Sequence, residues 1–143
     1  MDPRKRPKLK IEEKLRDFNE LFSIFENPKD KFVQLMDMAK NSKGIKESDR
    51  VEKNKVNGCT SQAWVIIEEK KNDLFYFRAD SDALIVKGLL SLLVKLFNGR
   101  NAKEIQSTDG YAIIKSIGLQ GSISSQRTNG FSSAVEKIKE LVT

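Results

Sequence analysis

Apolar residues recur at helical spacing over the first part of the chain. Residues 11–26 carry them three and four positions apart, which predicts an amphipathic helix. Asn27 and Pro28 follow as an N-cap and a first-turn proline, so a second helix is expected to begin here and to end near Gly44. Residues 40–55 are polar and rich in lysine, which predicts a loop inside one domain rather than a linker between two.

The pattern changes to that of β-strands in the middle of the chain. β-Branched and aromatic residues are concentrated in residues 62–69 and 74–79, and a polar turn over residues 70–73 separates them, which predicts a hairpin. A short strand over residues 55–57 is expected to precede it. The sequence therefore predicts a small antiparallel three-stranded sheet.

The most apolar segment of the chain follows the predicted sheet and is expected to form the central helix of the core. Ser81 or Asp82 is the expected N-cap, and Gly99 is the expected stop signal after the last helical residues. Three polar side chains lie four positions apart on this helix and predict one narrow solvent-facing stripe: Lys87, Ser91 and Lys95.

The remainder of the chain predicts three more helices, over residues 102–106, 111–117 and 130–142. Helices, then strands, then helices favour an α+β fold with helices packed on one face of an antiparallel sheet. A chain of 143 residues fits one compact domain. Residues 11–143 are therefore assigned to a single domain, preceded by a basic flexible tail of residues 1–10.

The positive charge of the chain is concentrated at its start. The net charge is +6, and residues 1–10 contribute +4 of it, with five basic side chains against one acidic side chain. The rest of the chain is close to neutral with mixed signs, which disfavours an extended nucleic-acid-binding surface. A basic nucleic-acid-binding module with a structural cysteine is kept as the alternative function.

The sequence predicts neither a membrane anchor nor a secretory signal. The longest apolar stretch, residues 83–97, is interrupted by Lys87 and Lys95 and is too short to span a bilayer comfortably. Residues 1–10 lack the apolar core of a signal peptide. We expect a soluble protein without a membrane partner, in the cytoplasm of a bacterium or in an organelle of a eukaryote.

The candidate chemistry depends on Cys59, because the chain has one cysteine and no histidine. These counts exclude an intrachain disulfide, a Cys/His dyad and a histidine-ligated metal. Gly58 allows the backbone to turn sharply and to present a nucleophilic thiolate. A lone thiol makes a poor metal site and has no resolving partner in the chain, which leaves sulfur relay. The competing interpretation is a small, buried structural residue.

Three sequence blocks carry a family resemblance. Residues 58–64 read G-C-T-S-Q-A-W, and residues 81–89 read S-D-A-L-I-V-K-G-L. Together they resemble the signature of the SufE/CsdE family of Fe–S metabolism proteins. A third block, R-T-N-G at residues 127–130, is similar to the family's R-S-x-G but departs from it at Thr128.

The resemblance implies a fold shared with the IscU/NifU scaffold domain and a role in sulfur transfer. Cys59 would accept a persulfide sulfur from a SufS/CsdA-type cysteine desulfurase, which depends on pyridoxal phosphate, and would stimulate its turnover. The sulfur would then pass to a downstream Fe–S scaffold. The implied protein is a carrier and activator rather than an enzyme, with no cofactor or metal of its own and no nucleic-acid partner.

The resemblance also implies that residues around Cys59 support its loop and site. Six positions are carried over in this way: Gly58, Ser61, Gln62, Asp82, Lys87 and Arg127. Arg127 is the expected cation near the thiol, able to favour the thiolate or to pair with a partner. Lys87 is equally explained as a solvated lysine, and Trp64 is expected in the core. The loop over residues 57–61 is expected to shelter Cys59 until the desulfurase binds.

Overall fold

The structure is a computed structural model that describes residues 11–143. The predicted basic tail, residues 1–10, lies outside the described residues. Six α-helices and two strands have the following bounds: α1 Ile11–Ser23, α2 Pro28–Lys40, β1 Ala63–Lys71, β2 Leu74–Ser81, α3 Leu84–Phe97, α4 Ala102–Gln106, α5 Gly110–Ser116 and α6 Ser125–Leu141. Two single-turn 3₁₀ helices, Glu47–Asp49 and Glu52–Asn54, interrupt the long polar loop between α2 and β1.

The second helix begins where the sequence predicts, and both of the first two helices end earlier than predicted. α1 stops at Ser23 rather than at residue 26. The Asn27 side chain accepts a hydrogen bond of 2.9 Å from the Lys29 N–H, which confirms the predicted cap of α2. α2 ends at Lys40, so Gly44 is not its stop signal. With a φ of 65°, Gly44 instead lies in the following loop, against the carboxylate of Asp80.

The two strands form the predicted antiparallel hairpin. Its turn lies at Asn72 and Asp73, whose φ angles of 54° and 63° are those of the left-handed turns that match the twist of paired strands. A register shift between Ile67 and Glu69 interrupts the ladder once. β1 begins one residue later than predicted and continues two residues further toward the turn, to Lys71, whereas β2 begins as predicted and continues two residues further at its other end, to Ser81.

The prediction of a three-stranded sheet is wrong. Within residues 11–143 the sheet has two strands, and the segment predicted as a third is reduced to one bridge between Lys55 and Trp64. The Val56 N–H still donates to the Ala63 carbonyl at 2.8 Å. Immediately afterwards the chain turns at Gly58, whose φ is 82°, so the ladder cannot continue.

The core lies between the hairpin and the central helix. α3 packs against α2, β2 and α6, and its side chains at Leu92, Leu93, Leu96 and Phe97 are fully buried. Alternate residues of the hairpin, including Val65 and Phe77, face the same core. The helices therefore lie on one face of an antiparallel hairpin, which confirms the α+β class.

The predicted start and polar stripe of the central helix need correction. Its N-cap is Ala83, without a side-chain cap, so neither Ser81 nor Asp82 caps it. Lys95 is exposed, but Ser91 is buried, and its hydroxyl donates to the Gly88 carbonyl at 2.8 Å. The reason is the close approach of α2, because a Cβ added at Gly88 would collide with the backbone of that helix.

The last helix begins five residues before its predicted start. Ser124 is its N-cap, and the Ser124 hydroxyl accepts a hydrogen bond of 3.2 Å from the Arg127 N–H. Arg127 and Gly130 therefore lie in the first turns of a helix and not in a loop. This shift places both residues on a rigid element that packs against β1 and α3.

Candidate functional site

A short loop presents the cysteine. Its two ends meet where the Val56 N–H donates to the Ala63 carbonyl at 2.8 Å, so residues 57–62 form a closed connection. Gly58 adopts the left-handed conformation that a side chain would disfavour. A Cβ at Gly58 would lie 3.0 Å from the Ser133 hydroxyl oxygen, which shows that the loop lies directly on α6.

The thiol of Cys59 is half-buried and rests against the backbone of α6. A Cβ built at Gly130 would lie 3.2 Å from the Cys59 Sγ and 3.6 Å from its Cβ. Contact between Cys59 and α6 is thus as close as a glycine permits. The predicted reactive residue is held inward at the surface of the core rather than projected into solvent.

A small apolar pocket lies beside the thiol. α3 contributes Val86, Leu89 and Leu90 to it, and α6 contributes Phe131 and Ala134. Its volume is about 10 Å³, close to the smallest space that holds one water-sized atom. We call this space the thiol pocket. The surface that its walls present is almost entirely apolar.

Arg127 lines the same pocket as Cys59. It is half-buried in the first turn of α6, and it is the charged residue among the described residues that form the pocket wall. A guanidinium in this place can stabilise a thiolate or a persulfide anion. The structure therefore brings together Cys59 and Arg127, which lie 68 positions apart in the sequence.

Gln62 and Asp82 fasten the strand end of the loop. The Gln62 N–H donates to the Asp82 Oδ1 at 3.1 Å, and the Gln62 carbonyl accepts from the Asp82 N–H at 3.1 Å. The Ser81 hydroxyl donates to the same carbonyl at 2.7 Å. Gln62 and Asp82 are both among the site residues carried over from the resemblance, and they bond to each other at the end of the loop. This contact replaces the helix-capping role predicted for Asp82.

Lys87 belongs to a separate buried cluster around Asp80. The Asp80 carboxylate, whose side chain is 3% exposed, lies 2.8 Å from the Arg50 Nη2 and 3.4 Å from the Lys87 Nζ. It also accepts backbone N–H bonds from Ile45 and Ser81. We call Asp80, Arg50 and Lys87 the charged cluster. Lys87 is thus paired with Asp80 and does not line the thiol pocket.

Arg50 also covers the tryptophan of the sequence block. Its guanidinium carbon lies 5.0 Å from the centre of the Trp64 ring, within the range of a cation–π contact. Trp64 is 5% exposed, so the prediction that it is buried is confirmed. Through this contact and the Asp80 ion pair, Arg50 ties the long polar loop to the hairpin.

The remaining site residues are placed as follows. Gly58 contacts Ser133 of α6, as described above, and Ser61 is half-buried near the end of the loop. Sequence reasoning assigned no role to Gly130 or Ser133, and within the charged cluster it singled out Lys87 but not Arg50. Gly130 stands in the third sequence block, so its presence there was the one signal available. No signal in the sequence pointed to Arg50, because its partner Asp80 lies 30 positions away in the chain.

The described residues contain neither a metal-binding group nor a membrane-spanning helix. Within residues 11–143, no three or more histidine, cysteine or carboxylate side chains come together as a metal-binding group. No helix in the same range combines the length and the hydropathy needed to cross a membrane.

Comparison with known families identifies the class to which this fold and site belong. Residues 16–142 match SufE, described as the Fe-S metabolism associated domain. The chain therefore belongs to the SufE family, and the resemblance noted in its sequence blocks is confirmed. The match spans the cysteine loop, the hairpin and all six helices except the first five residues of α1.

Individual relatives agree with this assignment. A SufE-like protein of Rhizobium etli is 34% identical over 122 residues, covering 83% of this chain and 82% of that protein. The sulfur acceptor protein CsdE of Escherichia coli is 28% identical over 109 residues, covering 76% and 74%. SufE-like protein 1 of Arabidopsis thaliana, named chloroplastic/mitochondrial, is 40% identical over 120 residues, which are 82% of this chain but 31% of that protein.

A solved structure shares the fold. The solution structure of a hypothetical protein from Thermus thermophilus superimposes with a TM-score of 0.71, covering 90% of this chain and 93% of that one. Sequence identity is 18%, so this likeness supports the arrangement of helices and hairpin alone.

Proposed function

We propose that this protein accepts a sulfane sulfur on Cys59 from the persulfide of a cysteine desulfurase of the SufS/CsdA type and carries it toward Fe–S cluster assembly. Membership of the SufE family and similarity to a protein named a sulfur acceptor support this role. The observation that carries the proposal is the placement of Cys59: a single thiol on a closed loop, held against Gly130, in an apolar pocket with one guanidinium.

The chemistry needs a nucleophilic thiolate from this chain. The Cys59 thiolate attacks the terminal sulfur of the donor persulfide, and the donor cysteine leaves as a thiolate. One S–S bond forms and one breaks, so no external oxidant or reductant takes part. Arg127 lines the same pocket, and its guanidinium is the cation proposed to pair with the anion on Cys59 during transfer.

The half-buried thiol suits a carrier that travels between partners. A persulfide exposed to dissolved thiols loses its terminal sulfur, and the apolar walls of the thiol pocket limit that access. Transfer requires the opposite condition, because the Cys59 Sγ must reach the donor sulfur. We infer that residues 57–61 move outward at the desulfurase while Val56, Ala63 and Gln62 hold the loop ends.

Stimulation of the desulfurase follows from the same step. Bound pyridoxal phosphate in that partner enzyme supplies the chemistry that frees sulfur from cysteine, and the enzyme is then left with a persulfide. Removal of this sulfur by Cys59 regenerates the donor thiol for another turnover. The protein itself is an acceptor and activator, and an Fe–S scaffold is the proposed recipient.

The test is the turnover of a cysteine desulfurase with and without this protein. We expect wild-type protein to increase alanine production from cysteine and a Cys59→Ser variant to give no increase. The variant keeps the size of the side chain but replaces the sulfur, so its fold should be unchanged by circular dichroism. Equal stimulation by both proteins would contradict the proposal.

The sheltered state has its own test. Without a partner, iodoacetamide should alkylate Cys59 more slowly than it alkylates a small free thiol at the same pH. A rate equal to or above that of the free thiol would contradict the sheltering of Cys59.

A further inference from the structure

We propose that Gly130 is a positioning residue, whose lack of a side chain lets the Cys59 thiol occupy its sheltered place. The inference rests on the proposed function, since it concerns the regulation of the same thiol. Gly130 touches no reacting sulfur of a partner. It acts through the position that it allows Cys59 to adopt.

The contact distances define what a side chain at position 130 would meet. A Cβ there would lie 3.2 Å from the Cys59 Sγ, 3.6 Å from its Cβ and 3.7 Å from its Cα. The two carbon distances are ordinary contacts, because non-bonded carbon atoms are best separated by about 3.5 to 4.0 Å. The distance to the larger sulfur atom is too short, so the sulfur alone determines the conflict.

The mobile partner in this conflict is Cys59. Gly130 is a buried residue of α6, and the next residues toward the core, Phe131 and Ala134, are 3% and 0% exposed. Shifting the helix would disturb the close-packed core. Cys59 lies on a half-exposed loop whose fastening bonds are at Val56 and Gln62. A methyl group at position 130 would therefore move the thiol outward and leave the helix in place.

Two other buried glycines lie closest to backbone atoms rather than to a side chain. A Cβ at Gly88 would collide with the backbone of α2, and one at Gly110 would lie 2.6 Å from the Ser132 Cα. Those glycines permit the packing of main chain against main chain. At Gly130 the closest atom is instead the Sγ of Cys59, the proposed sulfur acceptor.

The helix itself gives no reason for glycine at this position. Gly130 lies six positions into α6, away from either end, and its φ is not in the left-handed range. Alanine is the more stable residue in a helix interior, because glycine loses more conformational freedom on folding. The requirement for glycine therefore comes from the thiol that lies over it.

The consequence is a control on thiol access. With alanine at position 130, Cys59 would spend more time outside the thiol pocket and react faster with small reagents. A persulfide on Cys59 would also be lost faster to a small thiol, whose thiolate takes the terminal sulfur as Cys59 leaves as a thiolate. Transfer from the desulfurase would be less affected, since the loop is already displaced in that step.

The experiment measures alkylation of Cys59 by iodoacetamide in the full chain without a partner. We expect Gly130→Ala to react about tenfold faster than wild type, equivalent to a shift of about 1.4 kcal/mol in the exposure of the thiol. Gln126→Ala is the matched control, because Gln126 is an exposed residue in the first turn of the same helix. Its alkylation rate should equal that of wild type. A folded Gly130→Ala protein with the wild-type rate would overturn the proposal.

A second measurement keeps the proposal testable if Gly130→Ala folds poorly. Replacing Cys59 by alanine removes the Sγ and leaves 3.6 Å as the shortest contact to a Cβ at position 130. In that background we expect Gly130→Ala to raise the urea midpoint of unfolding, whereas in the wild-type background the gain is smaller or reversed. An equal loss of stability in both backgrounds would show that the conflict does not involve the thiol, and the proposal would be wrong.

The two proposals fail in different ways. Alkylation and unfolding need no sulfur donor, so they test Gly130 even if Cys59 accepts no sulfur. Failure of the Cys59→Ser comparison in the desulfurase assay would remove the proposed function but leave the effect of Gly130 on the thiol. A persulfide that is lost at the same rate from wild-type and Gly130→Ala protein would count against Gly130 alone.

Discussion

The charged cluster and the thiol pocket hold their central residues by different forces. Asp80 is fixed by two cations and two backbone N–H groups. Cys59 is held by van der Waals contact with Gly130 and with apolar side chains of α3 and α6. Directional, charge-assisted bonds fix a geometry, whereas weak apolar contacts can be released and re-formed.

The two regions are joined at the strand end of the loop. Residue 80 belongs to the charged cluster, while Ser81 and Asp82 bond to Gln62. A rigid support is thus placed next to a releasable thiol. This arrangement suits a carrier, because its loop can open without disturbing the hairpin and helices that present it.

Asp80→Ala, which breaks the charged cluster, is expected to cause the largest loss of stability. Removal of the carboxylate leaves Lys87 without its ion pair and leaves Arg50 with only the exposed Glu47, 3.6 Å away. Loss of one partner from a buried pair costs about 3 to 5 kcal/mol, and the partial exposure of both cations places the expected loss at about 3 kcal/mol. Urea unfolding measures it. A loss below about 1 kcal/mol would show that the cluster contributes little to the support.

Arg127→Ala should affect transfer more than stability. The proposed pairing of Arg127 with the sulfur anion during transfer would contribute about 1.5 kcal/mol, so its loss predicts a rate of persulfide transfer to Cys59 about tenfold lower. Rapid-quench measurement with a persulfide-loaded desulfurase tests this, and Arg127→Lys, which keeps the charge, should recover part of the rate. An unchanged rate in the alanine variant would remove Arg127 from the site.

Asp82→Ala should loosen the loop without unfolding the protein. The variant loses the acceptor of the Gln62 N–H, an exposed hydrogen bond that contributes about 0.5 to 1.5 kcal/mol. We expect faster alkylation of Cys59 together with a stability loss well below that of Asp80→Ala. If alkylation stays at the wild-type rate, the Gln62 contact does not restrain the thiol.

Glu68→Ala is expected to give the smallest loss of stability. It tests whether the length of an ion pair or its burial determines its contribution to stability. The Glu68–Arg78 ion pair is shorter than the Lys87–Asp80 pair, 2.9 Å against 3.4 Å, but Glu68 is 43% exposed. Exposed pairs contribute about 0 to 1 kcal/mol, so the stability loss should be no more than about 0.5 kcal/mol. A loss as large as that of Asp80→Ala would contradict the role assigned to burial.

Features that depend on neighbouring residues in the sequence were predictable. The Asn27 cap and the hairpin are examples, because each arises from residues a few positions apart. Cys59 was identified because its sequence block resembles that of a known family. Its loop position followed from Gly58, whose backbone conformation is a local property.

Features that depend on distant contacts were not predictable. The prediction of a third strand was wrong because Gly58 turns the chain away from the sheet after one bridge. The prediction of a solvent-facing polar stripe was wrong at Ser91, because α2 approaches α3 at Gly88 and covers that residue. The charged cluster and the contact between Gly130 and Cys59 each join segments that only the tertiary fold brings together.

Mass spectrometry of the Cys59 peptide tests the central claim most directly. The protein is incubated with a cysteine desulfurase and cysteine and is digested without reductant. The account predicts that the peptide gains the mass of one sulfur atom, and that it gains nothing when the enzyme is omitted. An unmodified Cys59 peptide in the presence of an active, persulfide-bearing desulfurase would contradict the account.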